Sequence, residues 1–358
     1  MMKMKQSTVN GQQSTLKILI LTHRFNPDVG GIETNSEILA TAFAKYGAEV
    51  HVLTWTKYKG NQTFPFIVIR DPDLKILFKE HRWADVVFEN NPCLRLSWIN
   101  MVIRKPLVIA LNTWVNRIKG NKGIRDKLKN LWFRRANAVI AVSEAIRKRE
   151  WLAAIVIENP YNNNLFKMLP DAQKTKPFIF LGRLVSDKGA DQAIKAISML
   201  AEKNVIDANR LQLTITGDGP EMKNLLRLRE QSGLYGAIHF TGILKGEELV
   251  DCLNQHQYMI VPSVWEEPYG NVVLEGMACG CVPVASDGGG LSEAVGNAGF
   301  IFKRNDTVAL VDTLEHAIAD PLDMALKQAN APAHLANHTV NLVAGKYFEI
   351  IKKAAGKK

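Results

Sequence analysis

Residues 259–285 read MIVPSVWEEPYGNVVLEGMACGCVPVA. Met259–Val261 is a short apolar run, Asn271–Cys279 has helical spacing, and Pro283–Ala285 is apolar again. Pro268 stands just before the helical stretch and Gly280 at its end, where each residue type suits a helix boundary. Strand, helix and strand in that order make one crossover unit of a parallel sheet. A parallel sheet is covered on both faces, so its strands read as continuous apolar runs.

The same alternation extends outward. Upstream, strands are predicted at Phe178–Leu181, Leu211–Thr216 and Ile238–Thr241, with helices at Asp191–Glu202, Glu221–Glu230 and Glu247–Asn254. A further helix is predicted at Val308–Ala319. Before Asn159 the pattern occurs once more, with runs at Lys17–Leu21, Glu49–Thr54, Phe66–Ile69, Asp85–Phe88, Leu107–Leu111 and Ala138–Val142, and a helix at Thr34–Tyr46. The chain is therefore an α/β protein of two similar halves, residues 1–165 and 166–335, joined within Asn159–Thr175. Ligands of parallel sheets bind at the carboxyl ends of the strands, which puts the site in the cleft between the halves.

Composition agrees. The chain has 358 residues, 47% hydrophobic and 22% charged, a globular balance. Cys93, Cys252, Cys279 and Cys281 match no zinc spacing and are too few for a disulfide framework. The formal net charge is +10, but Lys and Arg exceed Asp and Glu by 13 in residues 1–170 and fall short by 3 in the rest. Only the first half invites a polyanionic or membrane-surface partner. No apolar run approaches the roughly 20 residues of a membrane span, and the polar first 15 residues do not read as a signal peptide. The expectation is a cytoplasmic protein that touches a membrane peripherally at most.

Three loops can carry chemistry. Pro27 to Glu33 follows the first strand with paired glycines, Gly30 and Gly31. They permit close backbone approach or simply a tight turn, and GxGxxG is absent. Gly182 to Gly189 places Arg183 and Lys188 on one loop, a fork and a point charge suited to a diphosphate. In the third, Glu267 precedes a helix whose first amides, at Gly270, Asn271 and Val272, can hold phosphate oxygens, while Glu275 lies in its early turns. Eight residues of loop and helix separate the two glutamates too widely for the roughly 5 Å dyad of a retaining glycosidase. Each suits a different part of one extended ligand.

Glu267-Pro-Tyr-Gly followed by Glu275-Gly-Met-Ala-Cys-Gly closely resembles the E-x7-E segment of retaining GT-B glycosyltransferases of family 4. Val261-Pro-Ser, the Gly182–Gly189 loop, Gly217-Asp-Gly-Pro220, Gly30-Gly-Ile-Glu33 and Val282 to Glu293 match in family order, from about residue 17 to a closing helix at Val340–Ile351. The resemblance implies two facing Rossmann-like domains, with residues 336–358 packing back toward the first. It implies retaining transfer of a sugar from a nucleotide sugar to a glycan or lipid-linked acceptor, as in polysaccharide biosynthesis. Arg183 and Lys188 would neutralise the leaving diphosphate, Glu267 would bond the sugar hydroxyls and Glu275 the ribose. Gly30, Gly31 and the Gly270–Val272 amides would cradle phosphate or sugar, and Leu244 would edge the base. No metal or cofactor is implied, and UDP, GDP and ADP donors stay open. Alternatives are a GT-B sugar-nucleotide epimerase and a nucleotide-sugar-binding protein without turnover.

One residue departs from the pattern. Many relatives carry His after the strand ending at Leu111, where this chain has Asn112, which cannot act as a base near neutral pH. Asp71-Pro-Asp73 resembles the metal-holding D-x-D of GT-A enzymes, but Pro72 between the acids suits a turn. Glu293 reads as a helix-start residue. From Arg117 to Arg135 eight cations surround Asp126, with Ile124, Leu128, Leu131 and Trp132 at helical spacing. That stripe either meets an anionic membrane or packs on the domain core; no aromatic-rich strand argues for nucleic acid.

Overall fold

The structure, a computed structural model, describes residues 15–28, 30–115, 124–205, 207 and 211–357. Its first sheet contains β1 (Lys17–Thr22), β2 (Glu49–Thr54), β3 (Ile67–Arg70), β4 (Val86–Asn90), β5 (Leu107–Leu111), β6 (Ala138–Ala141) and β7 (Ile155–Val156). The second contains β8 (Lys176–Leu181), β9 (Leu213–Thr216), β10 (Ile238–Gly242), β11 (His256–Val261), β12 (Val282–Ser286) and β13 (Phe300–Phe302). All pairs are parallel, in the orders β3-β2-β1-β4-β5-β6-β7 and β10-β9-β8-β11-β12-β13. These are two Rossmann-like α/β domains. Every residue of β5 is buried, as a sheet covered on both faces demands.

Two departures from the sequence pattern have local causes. β4 continues past its apolar run into Glu89 and Asn90, which are fully buried because both side chains are satisfied. Glu89 accepts from the Cys93 amide (2.8 Å) and the Trp132 indole (2.8 Å), while Asn90 donates to Ser36 (2.7 Å). The helix Pro321–Ala336, which no sequence feature announced, runs through Pro332. It starts from a strong cap: Asp320 accepts from the Leu322 and Asp323 amides, and Pro321 occupies the first turn.

The two domains share an apolar core on one side of the cleft, where Ile146 and Tyr161 join Tyr269 and Leu291. The last helix, Val340–Ala354, lies on the first domain. It buries Val343, Ala344, Tyr347 and Ile351, setting Phe348 against Phe43 (5.7 Å between rings) and Tyr347 against Phe88 (5.8 Å). Phe166 and Tyr161, in the connecting segment, are buried too.

Candidate active site

The second domain gathers its motif loops at the carboxyl ends of its strands. After β8, a 3-10 turn (Ser186–Lys188) ends at Gly189 with φ +69°. A Cβ there would stand 2.0 Å from the Pro262 carbonyl, so only glycine lets this loop reach the one after β11. The Val264 and Trp265 amides donate to the Asp187 carbonyl, binding the two loops together. Lys188 Nζ consequently meets Glu267 Oε1 at 2.5 Å, and Ser263 Oγ donates to the same oxygen at 2.7 Å. Gly217 and Gly219 press on Gly182 and Leu184 backbone with no room for a side chain. Arg183 on that loop is exposed and makes no ion pair among the described residues.

Glu267 is buried, and its backbone carbonyl accepts from the Gly290 amide at 2.8 Å. Three residues on, Gly270 (φ +112°) turns the chain into the helix Asn271–Ala278, whose first amides face the cleft without a side-chain cap. Glu275, half-buried on this helix, has no hydrogen-bond partner among the described residues, and burial pushes its carboxyl up to about 7. Leu244, just beyond β10, is half-buried beside exposed Ile243. Glu267 and Glu275 thus address separate surroundings, one cationic and one uncharged.

Across the cleft, the helix Gly31–Lys45 begins opposite the Asn271 helix: a Cβ on Gly31 would lie 3.6 Å from Asn271 Nδ2. Gly30 has an extended backbone open to any residue, with the Glu33 carboxylate folded over it. Beside them runs a chain of asparagines. Asn112 Nδ2 donates to Asn90 Oδ1 (2.8 Å), Asn35 Nδ2 to Asn112 Oδ1 (3.1 Å) and Asn159 Oδ1 (3.4 Å), and Asn159 Nδ2 to Asn271 Oδ1 (2.9 Å). Asn112 is buried with donor and acceptor both engaged, so its place in the fold is that of a fixed link. The chain joins the first domain to the start of the Asn271 helix.

Several residues that the sequence left unmarked close the cleft. Ser143 Oγ donates to the Pro268 carbonyl (2.7 Å), and Arg149 Nη1 meets Glu266 Oε2 (2.8 Å). Trp114 donates its indole N–H to the Glu266 carbonyl, and Arg304 holds the other Glu266 oxygen at 3.2 Å. Glu293 does more than start its own helix: its carboxylate accepts from the Glu144 and Ala145 amides (2.7 and 3.3 Å), capping a helix of the other domain. The nearest sequence hint was Glu266 itself, a second acid beside the motif glutamate.

Asp73 accepts from the Ile76 amide (2.8 Å) and caps its helix, while Asp71 pairs with Lys57 (3.0 Å). Both acids of the D-x-D therefore have local structural partners. Of the basic segment, residues 116–123, including Arg117, Lys119 and Lys122, lie outside the described residues, as do the side chains up to Lys127. The helix Ile124–Arg135 corrects the predicted single stripe. Trp132 and Phe133 are buried, but Leu128 (55% exposed) and Leu131 (64%) point outward, since only one face can meet the Glu89 end of β4.

Residues 162–333 match the family model for glycosyl transferases group 1. The gpi3 subunit of phosphatidylinositol N-acetylglucosaminyltransferase from Schizosaccharomyces pombe is 27% identical over 215 residues, 57% of this chain and 46% of the relative. D-inositol 3-phosphate glycosyltransferase from Stackebrandtia nassauensis is 30% identical over 187 residues, 49% of this chain and 42% of that protein. The chain thus matches less than half the length of either relative. The crystal structure of Anabaena HepE in complex with UDP and glucose superposes with a TM-score of 0.80, covering 94% of this chain and all of HepE at 21% identity. Residues 162–333 thus match the glycosyl transferases group 1 family, and the two domains together have a GT-B fold.

Proposed function

We propose that the protein moves a sugar from a nucleotide-sugar donor to a glycan or lipid-linked acceptor, with retained anomeric configuration and without a metal. The observation that carries this reading is the pairing of Lys188 with Glu267, beside an open helix N-terminus that begins at Gly270–Asn271. A donor diphosphate has its counter-charges there: Lys188, exposed Arg183 and the Asn271 and Val272 amides. Glu267, desolvated and held by Ser263, accepts from sugar hydroxyls, and Glu275 from the ribose. The donor C1–O bond breaks as the acceptor oxygen bonds to C1 on the same face, and the acceptor proton passes to the leaving phosphate oxygen. Preorganised cations and N–H donors lower this barrier by stabilising the charge that develops on that phosphate. Asn112 takes no part in proton transfer, which a front-face route does not require of it.

Because HepE was solved with UDP and glucose, UDP-glucose is the first donor to try. The two relatives named for phosphatidylinositol and D-inositol 3-phosphate support phosphorylated or lipid-linked acceptors. Incubation with UDP-, GDP- and ADP-sugars should release free nucleotide from one of them, and Glu267→Ala should abolish the release. Tight binding without release from any donor would leave the reading as a binding protein without turnover. Sugar product epimerised at C2 would mark the epimerase.

A further inference from the structure

Every group assigned to the donor lies on the second domain, except Gly30 and Gly31. Glu266, beside Glu267, is gripped from both domains. Arg304 reaches Glu266 Oε1 from the second domain (3.2 Å) and also donates to the Val264 carbonyl (3.3 Å). From the first domain, Arg149 lies at the end of the helix Glu144–Glu150 and pairs with Glu266 Oε2 at 2.8 Å. Its guanidinium is stacked 4.5 Å from the ring centroid of Trp114, whose N–H holds the Glu266 backbone. Trp114 sits two residues beyond Asn112, past the carboxyl end of β5. Opening the cleft would break the Arg149 and Trp114 contacts and leave the Arg304 pair intact.

We propose that Arg149 is a positioning residue: stacked on Trp114, it braces the Glu266–Glu267 loop against the first domain, so that the rate of transfer depends on it and donor affinity does not. Two features favour a brace over a surface ion pair. The planar guanidinium stacks on the indole while its fork holds the carboxylate, a geometry that a lysine's point charge does not reproduce. Its Nη2 is buried with no acceptor among the described residues, so the group is committed to this interface rather than to solvent.

The kinetic part of the inference rests on the proposed function. The structural part can be tested without turnover. With UDP bound, small-angle scattering should show Arg149→Met and Glu266→Gln both more expanded than the wild type, and Arg304→Met unchanged. Arg149→Met should bind UDP within twofold of the wild type by calorimetry, yet lose tenfold or more in kcat with little change in donor KM. Arg149→Lys should recover less than half of that loss. In a double-mutant cycle, Arg149→Met with Glu266→Gln should cost no more than the worse single change. Unchanged scattering in both single variants, or a fall in UDP affinity that matches the fall in kcat, would overturn the brace. If scattering responds but no donor yields product in the wild type, the brace stands and the proposed transfer reaction fails.

Discussion

Glu275 is the residue whose environment makes the most direct demand. Its carboxyl titrates near 7 because burial penalises the anion and nothing nearby compensates. A raised folded-state value means the unliganded protein holds a proton that the unfolded chain releases near 4.5. This group's contribution to stability is full below about 4.5 and is lost as pH rises through about 7. If Glu275 accepts from the ribose as proposed, its anion is the better acceptor, and nucleotide affinity should rise with pH up to about 7 and then level off. Calorimetric titration of UDP between pH 5.5 and 8.5 would show this slope, and Glu275→Gln should flatten it. Lys188 tests the other end of the donor. Lys188→Met removes the cation held at 2.5 Å from Glu267 and should cost roughly 100-fold or more in kcat, as loss of one transition-state charge partner does. Asn112→Leu leaves Asn90 Oδ1 buried without its donor and Asn35 Nδ2 with only the longer bond to Asn159, a loss of about 1–3 kcal/mol readable by chemical denaturation.

At the scale of elements, the site is built from loops that touch through backbone, and glycine decides whether they can. Gly189 combines φ +69° with a neighbouring carbonyl 2.0 Å from where its Cβ would stand. Gly189→Ala must therefore push apart the loops that bring Lys188 to Glu267. The strain is about 1–3 kcal/mol, and the melting temperature and the transfer rate should fall together. Helix ends do the complementary work. The helix Asn271–Ala278 keeps its N-terminal amides uncapped toward the cleft, while Glu293 caps the helix Glu144–Glu150 from the other domain. The first is free for a ligand and the second is already spent on the interface.

For the molecule as a whole, the lopsided charge separates two tasks. The acidic half carries the few placed cations assigned to the donor in the proposed function, and the basic half exposes Leu128 and Leu131 on the helix Ile124–Arg135, with Arg134 and Arg135 in its last turn. No helix among the described residues is long and apolar enough to cross a membrane. We propose reversible contact with an anionic surface. At roughly 1 kcal/mol per basic residue near such a surface, the protein should co-sediment with phosphatidylglycerol vesicles. It should be released by 0.5 M salt, and should ignore neutral phosphatidylcholine vesicles. Leu128→Glu with Leu131→Glu should abolish the binding and spare UDP affinity.

The sequence by itself determined the two parallel sheets, because strands buried on both faces must be written as apolar runs such as Leu107–Leu111, all of them buried. It also determined the loops that would meet in the cleft, since Arg183, Lys188, Glu267 and Gly270–Val272 each follow a strand at its carboxyl end. It fixed a helical stripe at Ile124–Trp132 but not its orientation: a 3.6-residue period says which residues share a face, and only the neighbours say which face is covered. Only the tertiary structure decided the closing of the cleft. Arg149 and Glu266 are 117 residues apart, Asn159 and Asn271 112, and Glu144 and Glu293 149. Such contacts obey no period and leave no local pattern, because they depend on how two sheets distant in sequence come to face each other.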